Sequence, residues 1–127
     1  MYAQNALKGY SQVQVDAGVE SASAHRLVVM LFDGLLERIA QAKGAIQQQD
    51  YENKGNKIND AISIVFGLRD SLDATNGGDL AKNLESLYDY AQRMLMQANL
   101  KNDEALLDEC AQLIINVSSA WREIGRM

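Results

Sequence analysis

No proline interrupts the 127 residues of this chain, and its nine glycines are scattered apart from the pair Gly77-Gly78. Proline removes a backbone donor and blocks a helix interior, and glycine loosens one, so long stretches here are free to remain helical. Apolar spacing then decides which stretches do so, and four segments carry residues three and four apart, the spacing that lines one face of a helix.

The first helix is expected to begin after Ser21 or Ser23, whose hydroxyl can accept from an orphan backbone N–H, and to run to about Gln48 with Leu27, Leu31, Leu35, Ile39, Ala42 and Ile46 as its stripe. The second follows Asp50 as N-cap and carries Ile58, Ala61, Ile62, Val65, Leu68 and Leu72 before Asp73-Ala-Thr-Asn-Gly-Gly ends it. Asp79 is placed to cap the third, which carries Leu80, Leu84, Leu87, Ala91, Met94, Leu95 and Ala98. A break between Asn99 and Asp103 leads to the fourth, from about Asp103 to Ile124, through Leu106, Cys110, Leu113, Ile114, Val117 and Trp121. Short connections between long amphipathic helices favour antiparallel neighbours, so the expected fold is all-α, an antiparallel up-down four-helix bundle over residues 21–127.

Residues 1–20 read differently: Tyr2, Leu7, Tyr10, Val13, Val15 and Val19 are scattered and interrupted by Gly9 and Gly18, which predicts a mobile N-terminal arm on a single domain. A chain of this length hides roughly two-thirds of its unfolded surface without disulfides or metals. The formal net charge of −5, with no run of Lys or Arg, argues against nucleic acid as a partner. Cys110 is the single cysteine, which rules out an intrachain disulfide or a multi-cysteine zinc site and fits a reducing compartment. There is no signal-peptide pattern and no apolar run of membrane-spanning length, so the expected location is the cytoplasm, with no direct membrane insertion.

The apolar arcs are wider than the roughly 100° stripe of a helix packed on one surface. The second helix is apolar from Ile64 and Leu68 round to Ile62 and Phe66, and the third from Tyr90 through Leu87 and Leu80 to Leu95 and Tyr88. The first adds Val29, Met30, Phe32 and Leu36 outside its main stripe. If the interior cannot use them all, the surplus forms a groove for a partner's amphipathic helix, to which Met30, Met94 and Met96 would lend adaptability. The alternative is that long side chains wrap the edges of the core, since much of any protein surface is apolar.

Catalytic chemistry finds no foothold. His25, the one histidine, has no second histidine or Glu-x-x-His pair for a metal and no nucleophile elbow beside it, and reads as a surface or first-turn residue. Gly77-Gly78 lacks the Lys-Ser/Thr of a phosphate loop. Acidic pairs such as Glu85 and Asp89, or Asp108 and Glu109, fall on outward faces, while Cys110 and Trp121 fall on the core stripe. No enzyme activity and no cofactor are expected.

The run Ser21-Ala-Ser-Ala-His-Arg-Leu-Val-Val-Met-Leu-Phe-Asp-Gly34, then Lys54-Gly55 before Ile58, Leu72-Asp73 before Gly77-Gly78, Asn83-Leu84-Glu-Ser-Leu-Tyr-Asp-Tyr90, Gln97-Ala-Asn-Leu-Lys-Asn-Asp103 and Ala120-Trp121 closely resembles the flagellin export chaperone family, FliS. The likeness extends from about Leu7 to Trp121. It implies a cytoplasmic chaperone of the flagellar type III secretion system that binds the C-terminal helical segment of flagellin, prevents its premature polymerisation and delivers it to the cytoplasmic domain of the export-gate protein FlhA. It also implies that Leu7 and Tyr10 in the arm contribute to docking at the gate, and it allows a weak homodimer of the free chain. The expected flagellin groove draws on Ile62, Phe66, Leu68, Leu87, Tyr88 and Tyr90. Two departures stand out: Ala24 where many relatives carry proline, and Ala91-Gln92-Arg93-Met94 where many carry a Met-Ile/Arg-Arg run, which leaves the polar contacts beside the groove open.

Two readings from other classes remain at this point. A histidine phosphotransfer domain is also a four-helix bundle, but it wants lysine and glycine soon after an exposed mid-helix histidine, where Val28 and Val29 stand here. A structural oligomerisation module would instead self-associate tightly and ignore flagellin.

Overall fold

A computed structural model describes residues 23–73 and 78–126 as four helices: α1 (Ala24–Gln47), α2 (Tyr51–Asp73), α3 (Gly78–Lys101) and α4 (Glu104–Arg126). The expected arm, with Leu7 and Tyr10, lies outside the described residues. The element boundaries follow from caps visible in the sequence. Ser23 Oγ accepts from Arg26 N at 3.1 Å and starts α1. At the third helix the expectation shifts by one position: α3 already includes Gly78, so Asp79 stands in its first turn. There its carboxylate still complements the positive end of the helix dipole.

One turn design serves two corners of the bundle. At the end of α1, Gln49 N donates to Ile46 O at 3.0 Å and Asp50 N to Ala45 O at 2.9 Å, with Gln49 in the left-handed region at φ 59°. At the end of α3, Asp103 N donates to Ala98 O at 3.1 Å, with Asn102 at φ 50°. These bonds satisfy carbonyls that a helix end would otherwise leave orphaned. In both turns the next residue is an aspartate that starts the following helix: Asp50 Oδ1 accepts from Asn53 N, and Asp103 Oδ1 from Ala105 N and Leu106 N. The chain therefore reverses within two or three residues at each corner. Lys54 completes the second one, its Nζ donating at 2.9 Å to Asn99 O, another of the last carbonyls of α3, although the side chain is otherwise buried.

Each helix packs on two neighbours in the ring α1–α2–α3–α4–α1, and the backbones of the diagonal pairs stay apart. Polar contacts give the register. His25 meets Trp121, Asp33 meets Arg122, Lys43 meets Asp108 and Gln47 meets Glu104, so α1 and α4 run antiparallel. Lys54 on Asn99 and Arg69 on Gln92 do the same for α2 and α3. Exposed pairs of this kind contribute little stability each, about 0–1 kcal/mol, and burial must supply the rest.

The interior is built from Leu31, Phe32, Leu35, Ile58, Val65, Leu68, Tyr88, Leu95, Leu107, Cys110 and Ile114, all with almost no exposed surface. Phe32 and Tyr88 meet across one diagonal with ring centroids 6.4 Å apart. The surplus arc expected on α1 is largely absorbed: Val29 and Phe32 are buried with the main stripe. A helix clamped between two neighbours buries a wider arc than one lying on a single surface, and the roughly 100° rule underestimates it.

The two turn residues at positive φ are not glycine, and a left-handed non-glycine residue costs roughly 1–2 kcal/mol. Gln49→Gly is therefore expected to stabilise the fold by about 0.5–1 kcal/mol in urea denaturation, the gain being reduced by glycine's freer unfolded state. Burial also pushes the Cys110 thiol up to about 12 and the Tyr88 phenol above its usual range. Both groups ionise more easily in the unfolded chain. The unfolding free energy should hold steady below about pH 9 and then fall by up to about 1.4 kcal/mol per pH unit for each group as pH rises towards the folded values. A flat pH profile from 8 to 11 would refute this assignment.

Candidate partner-binding surfaces

Among the described residues no group of three or more His, Cys, Asp or Glu side chains is placed to hold a metal, and no helix is long and apolar enough to cross a membrane. Cys110 is packed inside, with its Sγ against Ala91 O at 3.9 Å. What the surface offers is apolar area, distributed unevenly. Of two helices of 24 residues, α1 buries ten and α3 only six. Leu80, Tyr90, Met96 and Leu100, all on α3, are 50%, 54%, 53% and 77% exposed.

The six residues expected to form one groove do not share one face. Leu68 and Tyr88 are fully buried, because they sit at the centre of their arcs and point at the bundle axis, so a docking helix cannot reach them in this state. Ile62 and Phe66 are half-buried on the α3-facing edge of α2. They lie roughly 20° and 60° round the helix from Arg69, which bonds to Gln92 of α3 at 3.2 Å. Phe66, Arg69, Asp70, Leu72 and Glu85 line a shallow cleft along that seam. A neighbouring open cleft shares Arg69 and Glu85 and adds Lys82, Ser86 and Asp89, so cations and carboxylates interleave there.

Tyr90 precedes Gln92 by two residues, which turns it roughly 200° away from α2, and Leu87 lies about 140° away. Both therefore stand on the edge of α3 that adjoins α4. Leu80 lies one heptad from Leu87 on that edge. From α4, Leu113 and Val117 are half-buried and Ile124 is 45% exposed. Ile124 is two residues past Arg122, which reaches Asp33 of α1, and so faces away from α1. Met96 is one turn past Gln92 and joins the α2–α3 seam, where Leu100 and the 48% exposed Tyr51 extend the apolar surface towards the end of the bundle. Apolar side chains thus stand on both edges of α3, interleaved on the α2 side with the charged residues of the two clefts. The wide apolar arc noted on this helix was the available signal for them, but only the packing of α2 and α4 divides it into two edges.

His25 is not a plain surface residue. Its ring stacks on Trp121 with centroids 4.9 Å apart and planes 7° from parallel. Nε2 donates to the Trp121 carbonyl at 2.6 Å, and Trp121 Nε1 donates to the His25 carbonyl at 3.1 Å. Nothing local in the sequence marks this contact, since its partners are 96 positions apart.

The comparisons with known proteins agree with a surface built for another protein. A family model described as Flagellar protein FliS matches residues 6–127. The chain is 47% identical to the flagellar secretion chaperone FliSB of Pseudomonas aeruginosa, with 98% of this chain and 99% of that protein covered. It is 42% identical to the flagellar secretion chaperone FliS of Salmonella typhimurium, over 98% of this chain and 93% of that protein. The FliS of Bacillus subtilis is 32% identical over 97% and 88%. With likeness of this depth along nearly its whole length, the chain belongs to the FliS family of flagellar secretion chaperones, a family of chaperones and not of enzymes.

Proposed function

We propose that this chaperone binds the C-terminal helical segment of flagellin in the cytoplasm, keeps it from polymerising, and delivers it to the cytoplasmic domain of the export-gate protein FlhA. The observation that carries the reading is the exposed apolar surface on both edges of α3. An amphipathic segment that assembles by burying its apolar face is kept apart from its own kind when another protein covers that face first. Apolar side chains on both edges of one helix suit a client that wraps around α3, with Phe66, Ile62 and Met96 on one side and Leu87, Tyr90 and Ile124 on the other. Leu68 and Tyr88 then support the surface from beneath without touching the client. Leu7 and Tyr10, ahead of the bundle, are assigned to docking at the gate. Binding and release here need no nucleotide chemistry from the chaperone itself.

Calorimetric titration with the matching flagellin, full length and lacking its C-terminal helical segment, tests the reading. Saturable binding that disappears with the truncation is expected. Phe66→Glu and Tyr90→Glu should each weaken it by about 2–4 kcal/mol, since a carboxylate would be buried against an apolar helix, with helical content unchanged by circular dichroism. Full affinity in both variants would place the client on another face.

A further inference from the structure

The last turn of α4 has little burial to hold it. Ser118 is the last fully buried residue of the helix, and Trp121 is its last side chain packed against the core. Past Trp121, Arg122 reaches Asp33 of α1 at 2.6 Å. The remaining hold on the turn is His25. Its ring stacks on Trp121, its Nε2 donates to the Trp121 carbonyl, and it lies so close over Gly125 that a Cβ there would overlap it, 2.6 Å from Nε2. Glycine at 125 is what leaves room for the imidazole. His25 thus links a side chain seated on the core, Trp121, to the backbone of a turn that the core does not reach.

That turn bears Ile124. α4 exposes two large apolar side chains among the described residues, Ile115 at 43% and Ile124 at 45%. Ile115 lies roughly 20° round the helix from Arg122 and so belongs to the α1 edge, whereas Ile124 lies roughly 60° from Trp121 on the side away from Arg122, towards α3. We infer that His25 and Gly125 are positioning residues for the client: they fix the last turn of α4 and so hold Ile124 in place on the α3 edge. The inference rests on the proposed binding of flagellin along that edge. An apolar side chain on a fraying turn must be ordered when the client docks, and the entropy lost is subtracted from binding, while a turn already fixed has little left to lose. His25 sits between α1 and α4 and Gly125 has no side chain, so both act through Ile124.

The test titrates the full chain with the C-terminal helical segment of the matching flagellin, each variant below its melting temperature. The parent is compared with His25→Ala, His25→Gln, Gly125→Ala, Ile124→Ala and the double variant His25→Ala with Ile124→Ala. The chain has one tryptophan, so Trp121 emission reports whether the stack has opened. His25→Ala should change that emission and weaken binding by about tenfold, and His25→Gln, whose amide N–H can replace Nε2–H, should recover most of it. Gly125→Ala should weaken binding by at least about threefold although alanine is the better helix former, because its Cβ displaces the ring. The double variant separates positioning from plain stability. If His25 acts through Ile124, it should bind within about twofold of Ile124→Ala alone, since the side chain that His25 positions is already gone. Losses that multiply in the double variant overturn the inference, as do undiminished affinity in Ile124→Ala, undiminished affinity in His25→Ala, or emission unaltered by His25→Ala. A parent that does not bind the segment would refute the flagellin reading itself, and the inference with it.

Discussion

Everything in this fold depends on α1 being gripped from two sides. It packs against α2 along one edge and α4 along the other, and it buries Val28, Val29, Leu31, Phe32 and Leu35 within two turns. With the backbones of the diagonal helices apart, the ring closes only because α4 returns to α1. The contacts along that closing edge run from His25 with Trp121 at one end to Gln47 with Glu104 at the other. Burial in the centre supplies the free energy, and the polar contacts on the rim select the register in which it is collected.

The same arrangement leaves α3 at the opposite corner with apolar residues on both of its edges. A monomeric protein gains little from exposing Leu80, Tyr90, Met96 and Leu100 on one helix, and adjoining apolar patches of this kind mark sites of protein association. The interior beneath them is closed and tightly filled, with Tyr88 and Leu95 almost without exposed surface. In the proposed reading, a chaperone so built would hold its client on its outer faces and release it without unfolding.

The two turns show how much function-neutral architecture was legible residue by residue. Asp50 and Asp103 were readable as helix starts because an aspartate before a periodic apolar run satisfies orphan N–H groups locally. Ser23 was readable for the same reason. The resemblance carried by Lys54-Gly55 has a physical counterpart that spacing could not supply: Lys54 reaches a carbonyl at the end of α3, 45 positions away.

What the sequence determined by itself was local and periodic: the four described helices, their order, the starts at Ser23, Asp50 and Asp103 though not at Asp79, and most of the core stripes though not Leu80, because each rests on residues within a few positions of one another. Tertiary packing decided the rest. It drew Val29 and Phe32 inside, enclosed Leu68 and Tyr88, parted Ile62 and Phe66 from Leu87 and Tyr90, and brought His25 onto Trp121. An apolar side chain on a helix carries the same pattern whether a neighbour covers it or not, and only the positions of the neighbouring helices say which side chains remain for a partner.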